Sequence, residues 1–128
     1  VFSEGLKVRV LNIYFMKRFM CKSKIHRATV TGTDRDYEGS ISVCPGLLDE
    51  AGILPFEKVH VWNVTNGKRF VTYAIRGDAG CVCVNGSAAL LCDAGDIVII
   101  ASFGVYDEPE LREFRQRVVF VDENNCVK

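Results

Sequence analysis

At 128 residues, with 48% of them apolar and 25% charged, the chain is long enough to bury one core unaided and short for two domains. Sixteen basic residues cancel sixteen acidic ones, which excludes bulk charge as a driver of binding to nucleic acid or an anionic membrane. The six cysteines contain no Cys-x-x-Cys pair and only two histidines accompany them, so no metal site is expected and the thiols are read as reduced and mostly buried.

Residues 1–15, VFSEGLKVRVLNIYF, alternate apolar and charged positions and lack the uninterrupted apolar core of a signal peptide. Their apolar stretches are too short to span a bilayer. Two readings stay open: Met16 is the natural start and 1–15 an upstream extension, or Val1 is a non-AUG start. Either one places the protein in the cytoplasm, as one domain over residues 16–128.

Short strands between turn signals follow. Lys22–Gly32 is rich in β-branched residues and ends in a glycine-bearing turn. Tyr37–Val43 alternates, with Tyr37, Gly39, Ile41 and Val43 on one face and Glu38, Ser40 and Ser42 on the other. Pro45, the helically spaced Leu47, Leu48 and Ala51, and a stop at Gly52 predict one short helix.

Lys58–Thr65 and Lys68–Ile75 read as a hairpin around Asn66-Gly67, a pair suited to the two positive-φ positions of a type I′ turn. Cys81–Val84 is a strand running into a second Asn-Gly, with both cysteines on one face. Asp96–Ser102 is a near-continuous apolar strand, Pro109 opens a single helical turn, and Arg117–Val121 is the last strand. The polar tail DENNCVK is expected to be loose. Many short strands with one or two short helices predict a mainly β protein, a small closed barrel or sandwich.

No P-loop, dinucleotide fingerprint or nucleophile elbow occurs. Gly39-Ser40 taken alone is an ordinary strand entry. Arg69 and Tyr73, four apart in a predicted strand, share a face at about 13 Å. A guanidinium and a phenol so placed suit a carboxylate and a proton, although an exposed strand face would look the same. Trp62 and Phe70 read as core aromatics, His26 and His60 as polar-face residues, and Lys24 as a solvated lysine.

Combined, these segments mean more. KSKIHRATVT, YEGS, LLDEAGIL, VWNVTNGKRFVTYAI, VNGSAA and GDIVIIASF, in this order, resemble the small aspartate decarboxylases that carry a pyruvoyl group. The blocks cover Met16 to Phe120, and Trp62–Phe70 is the most specific of them. The spacing departs once: RGDAGCVCV, between Ile75 and Asn85, is about two residues shorter than the usual family loop, which bears on Asn85.

The resemblance implies a double-psi β-barrel, assembled as a homotetramer with active sites between subunits. It implies conversion of L-aspartate to β-alanine and carbon dioxide for pantothenate biosynthesis. It also implies that a precursor cleaves itself, so that a β chain ends at Gly39 and an α chain begins with a pyruvoyl group made from Ser40. Decarboxylating an α-amino acid leaves electron density at Cα, and side chains contain no ketone to accept it. The chain must therefore make one.

In the implied sequence the Ser40 hydroxyl attacks the Gly39 carbonyl and the peptide becomes an ester. Loss of the Ser40 α-proton eliminates the ester to dehydroalanine, and water converts this to the ketone with release of ammonia. Glycine at 39 is expected to accept a strained turn, and Thr72 to stabilise the oxyanion. By strand alternation Thr72 faces away from Arg69 and Tyr73, so a bulge or a division between two faces is needed.

The family pattern puts Arg69 and Lys24 on the substrate carboxylates, Tyr73 as proton donor to Cα, and Asn85, Gly86, Ser87 and Ala88 around the cofactor and substrate. Tyr37 and His26 stand in support. The implied partners are L-aspartate and further copies of the chain, with room for a maturation factor; nucleic acid and membrane are not among them. Three competitors remain: a silent double-psi barrel that only binds, a pyruvoyl decarboxylase of another acidic amino acid such as glutamate, and a pyridoxal-phosphate enzyme. The last is opposed by the short chain and the missing phosphate loop.

Overall fold

The computed structural model describes residues 16–128; the expectations for residues 1–15 lie outside them. In chain order the elements are β1 (Lys17–Thr29), β2 (Gly32–Asp34), β3 (Ser40–Val43), α1 (Pro45–Ala51), β4 (Lys58–Asn63), β5 (Arg69–Arg76) and β6 (Val82–Asn85). A 3-10 segment (Gly86–Leu91), β7 (Ile97–Asp107), α2 (Glu108–Leu111) and β8 (Arg117–Phe120) follow.

The eight strands make one sheet in the order β2-β6-β3-β5-β4-β7-β1-β8, and the architecture is the mainly β, double-psi barrel class. Pairing is mixed: β2–β6, β3–β5 and β1–β8 are parallel and the others antiparallel. β5 joins the two halves. Its residues 69–73 pair antiparallel with β4, and 74–76 pair parallel with β3.

The period-two pattern explains the core. Ile41 and Val43 of β3, Val59 and Val61 of β4, Val82 and Val84 of β6, and Val98 and Ile100 of β7 are all fully buried. At about 25 cal/mol for each Å² of apolar surface removed from water, such alternate β-branched residues dominate the stabilisation. α1 closes one end with buried Leu47, Leu48 and Ala51. Pro45 starts it, and Gly52, left-handed at φ 67°, ends it with its N–H turned back to Asp49 and Leu48.

After α1 the chain is clamped to the barrel. The Glu57 carboxylate accepts from the Leu54 N–H at 3.1 Å, pairs with Lys22 at 2.9 Å and accepts from the Ser102 hydroxyl. Phe56 donates to the Ala74 carbonyl at 2.7 Å and Ala74 to the Glu57 carbonyl at 3.0 Å, so the clamp meets β5 beside Tyr73. Burial alone would push the Glu57 carboxyl up. The Ser102 hydroxyl, the Lys22 ammonium and the Leu54 amide outweigh it and hold the group below its ordinary value.

A depressed folded pKa means that the unfolded chain binds the proton more tightly. Glu57 therefore contributes stability above its unfolded pKa, and that contribution is lost as pH falls through the folded one. Urea titrations across the acid range should show a shallower acid loss of stability in Glu57→Gln than in the wild type. Parallel curves would refute this.

Several local expectations need correction. The hairpin exists, but its loop runs from 64 to 68 and only Gly67 has positive φ, 78°. Asn63 competes with the type I′ geometry, because its side-chain oxygen accepts from the Thr65 and Asn66 N–H groups at 2.9 and 3.3 Å. Tyr37 to Gly39 is turn rather than strand, so β3 starts only at Ser40.

The tail is not loose. Asn125 is 3% exposed, accepts from the Thr29 N–H at 2.8 Å and donates to the Thr29 and Gly80 carbonyls at 2.9 and 3.0 Å. All six cysteines are free, but Cys92 alone is buried. Cys21, Cys44, Cys81 and Cys83, in or beside strands, are half-buried, and Cys126 in the tail is exposed.

Candidate active site

Ser40 opens β3 and is 1% exposed, although the turn before it is open to solvent. β6 supplies its antiparallel partner, Asn85, which is 3% exposed. The Asn85 amide donates to the Ser40 hydroxyl at 3.0 Å and to the Ser42 hydroxyl at 3.0 Å. Ser40 in turn donates to the Glu38 carbonyl at 3.2 Å. Two donors of one amide thus hold two serines that share a face of β3.

Gly86 follows Asn85 at φ 71°, and a Cβ there would sit 2.6 Å from the Gly39 Cα and 2.9 Å from the Gly39 nitrogen. The strain expected at Gly39 lies here instead. Gly39 has no positive φ, and a Cβ on it would meet nothing within 4 Å. The tight position is the neighbour pressed against it.

The parallel pairing of β3 with β5 sets the other side. Ile41 lies opposite Ala74, where the pairing begins, and Tyr73 and Thr72 precede Ala74 on β5 as Ser40 and Gly39 precede Ile41 along the chain. No shift interrupts the β4–β5 pairing from Arg69 to Tyr73, so β5 has no bulge there. Thr72 shares a face with Phe70 and buried Ala74, and Tyr73 shares the other with Arg69. Thr72 and Tyr73 thus lie at the end of β5 that leads away from Ala74, with their side chains on opposite faces of the strand.

Tyr73 and Ser40 line one cavity of about 350 Å³, with Tyr37, Glu38, Pro55 and Phe56 on its walls. Phe56 stands 6.2 Å, centroid to centroid, from the Tyr73 ring. It is held at φ 70°, outside the comfortable range of an L residue, by the clamp that Glu57 anchors.

The two expected carboxylate-binding cations come together elsewhere. The Arg69 guanidinium lies 4.6 Å and the Lys24 ammonium 5.9 Å from the centre of the Trp62 ring. Arg69 and Trp62 line a second cavity, of about 270 Å³, with His60 and Phe70. Trp62 is thus not a core aromatic. In Lys58–Asn63 the buried positions are 59, 61 and 63, which leaves His60 and Trp62 outside, and strict alternation would have identified this.

His26 belongs to neither group; its ring packs edge-on against Phe120 at 5.6 Å. Ser87 is exposed and Ala88 half-buried in the 3-10 segment after Gly86. Sequence reasoning also left out Ser42, whose contact with Asn85 depends on which strands pair, and Cys83, which meets Asn85 from two residues before it on the same strand. Among the described residues no group of three or more histidine, cysteine, aspartate or glutamate side chains could hold a metal ion, and no helix is long and apolar enough to cross a membrane.

Known proteins resemble this chain over the same residues. The model of the aspartate decarboxylase family matches residues 16–128. The aspartate 1-decarboxylase of Thermoanaerobacter pseudethanolicus is 53% identical over 112 residues, 86% of this chain and 96% of that protein. Those of Albidiferax ferrireducens and Legionella pneumophila (strain Lens) are 51% and 56% identical over 115 and 113 residues, covering 88% and 87% of this chain and 85% of each relative. The chain belongs to the aspartate decarboxylase family.

Proposed function

We propose that the protein removes the 1-carboxylate of L-aspartate as carbon dioxide and releases β-alanine, the precursor needed for pantothenate, using a pyruvoyl group cut from its own Gly39-Ser40 peptide. The observation that carries this reading is the buried Ser40 hydroxyl, held by Asn85 in a cavity it shares with Tyr73. A serine serving only as a strand residue has no need of a buried amide clamp, or of a glycine pressed against the preceding residue.

The residues fit such a group. Ser40 Oγ adds to the Gly39 carbonyl carbon, the C–N bond breaks, and the nitrogen takes up the proton, which leaves an ester. Thr72 donates to the oxyanion. Loss of the Ser40 α-proton expels the Gly39 carboxylate, and water replaces the resulting enamine nitrogen, released as ammonia, with a ketone oxygen. Asn85 and Gly86 border the new terminus. When present, that ketone takes up the substrate amine and withdraws electron density from Cα.

Arg69 and Lys24 hold the two carboxylates, Arg69 through its two-pronged guanidinium and Lys24 as a compact charge, both steadied over Trp62. Tyr73 returns a proton to Cα from the cavity wall. Tyr37 borders the same cavity and shields it. His26, outside it, has a supporting role through Phe120.

Arg69, with Lys24 beside it over Trp62, and Ser40 lie at different cavities of one chain, Arg69 lining one and Ser40 the other, which fits an assembly in which one subunit's Arg69 and Lys24 serve the Ser40 of another. Exposed Phe19, Val71, Phe103 and Val105 supply apolar surface for it, and we assign a homotetramer. Free thiols suit a reducing compartment, here the cytoplasm.

Turnover of L-aspartate by Arg69→Ala tests the reading. The variant should cleave normally and lose roughly 10²–10³-fold in kcat/KM, since a charge-assisted two-pronged contact is removed. L-Glutamate should be a poorer substrate than L-aspartate by roughly tenfold or more, the weight of one methylene. Unchanged kcat/KM in Arg69→Ala would remove Arg69 from the site.

A further inference from the structure

We infer that Cys83 is a positioning residue for the Ser40 nucleophile, acting through the Asn85 amide; the inference rests on the self-cleavage proposed above. Cys83 precedes Asn85 by two residues on β6, so both side chains leave the same face of the strand. Its thiol donates to Asn85 Oδ1 across 3.4 Å. The two hydrogens on the amide nitrogen are then both committed, to Ser40 and Ser42 at 3.0 Å each.

A buried asparagine amide can sit either way round, and the two orientations treat Ser40 oppositely. With the N–H toward Ser40, the hydroxyl oxygen accepts and keeps its own proton for the Glu38 carbonyl, which leaves a lone pair for attack. Turned over, the amide oxygen would draw the Ser40 proton onto itself and aim the lone pairs away. Both serine hydroxyls can donate or accept, so they do not select between the orientations. Cys83 holds the orientation seen by giving Asn85 Oδ1 its hydrogen-bond partner, provided that it stays a thiol.

It does stay a thiol at neutral pH. Burial pushes Cys83 up, and the neighbouring Cys81 and the Asp34 carboxylate of β2 push it further. β3 contributes only the uncharged Ser42 opposite Cys83. The thiol therefore remains a donor through the range in which the chain matures.

The test follows full-length precursor, purified cold after brief expression, by intact mass over time in the wild type, Cys83→Ala, Cys83→Val and Cys83→Ser, with a thermal melt for each. Alanine and valine both lose the donor while bracketing the thiol in volume; serine restores the donor. The expected result is cleavage slowed roughly tenfold in the alanine and valine variants and within roughly threefold of wild type in the serine variant. Valine leaves no void, so a folding defect confined to alanine leaves one donor-free variant to compare at matched melting temperature.

Equal rates in all four proteins would overturn the inference, as would rates that follow side-chain volume or melting temperature. A wild type that never cleaves would overturn the self-cleavage reading itself, a result distinguishable from the other two.

Discussion

Ser40→Ala is expected to leave a single uncut chain with no measurable decarboxylation, a loss of roughly four orders of magnitude or more. The argument rests on chemistry that no other residue replaces. The oxygen that attacks the Gly39 carbonyl and the carbons of the future ketone all belong to Ser40. Fold is not at issue, because the hydroxyl is held by two hydrogen bonds at the start of β3, while the buried face of that strand is built by Ile41 and Val43. Removing the hydroxyl leaves the Asn85 amide one acceptor short, a cost of about 1–3 kcal/mol. Intact mass and a melting curve on the same sample check both halves; a folded but cleaved Ser40→Ala would remove Ser40 from the mechanism.

Gly86→Ala should be nearly as damaging by a different route. A side chain at φ 71° costs about 1–2 kcal/mol, and the added methyl would lie 2.6 Å from the Gly39 Cα, where backbone must yield. The yielding element is the peptide to be cut. Its displacement takes the Gly39 carbonyl out of reach of the Ser40 hydroxyl, so cleavage should slow by roughly 10²-fold or more, in line with the cost of misplacing a reacting group by an ångström. The melting temperature should fall by only a few degrees, in proportion to the local strain. Time-resolved mass measurement separates the two. Normal cleavage in Gly86→Ala would mean that the Gly39 turn adapts freely and the close packing has no part in maturation.

Local pattern carried much of the architecture. The helix between Pro45 and Gly52, the strands at 58–63, 69–76 and 117–120, and the helical turn at Pro109 all follow from periodicity and terminal signals that act within a few residues. Part of what failed was decided over distance. The tail could not be read as fixed, because Asn125 binds Thr29 and Gly80, far from it along the chain. The type I′ turn gave way to the side chain of Asn63, whose competition with the turn backbone is a local effect that the Asn-Gly signal outweighed in the reading.

The site divides in the same manner. Gly39, Ser40, Thr72, Tyr73, Arg69, Lys24 and Asn85 were expected from a family resemblance; bare composition and spacing would have left each of them ordinary. How they are disposed comes from pairing. The parallel β3–β5 pairing brings the start of β3 toward the part of β5 that carries Thr72 and Tyr73, and the β3–β6 register sets Asn85 against Ser40. Ser42 becomes visible only when those strands are side by side, whereas Cys83 follows from the alternation of β6 itself. Trp62 was legible from the alternation of β4 and was obscured by the general tendency of tryptophan to be buried.

The most direct test of the account is the intact mass of the purified wild-type protein under denaturing conditions. Two fragments are predicted, the smaller ending at Gly39 and the larger beginning at position 40 with a ketone that borohydride reduces. A single uncut mass that persists after prolonged warming and after addition of cell extract would contradict it.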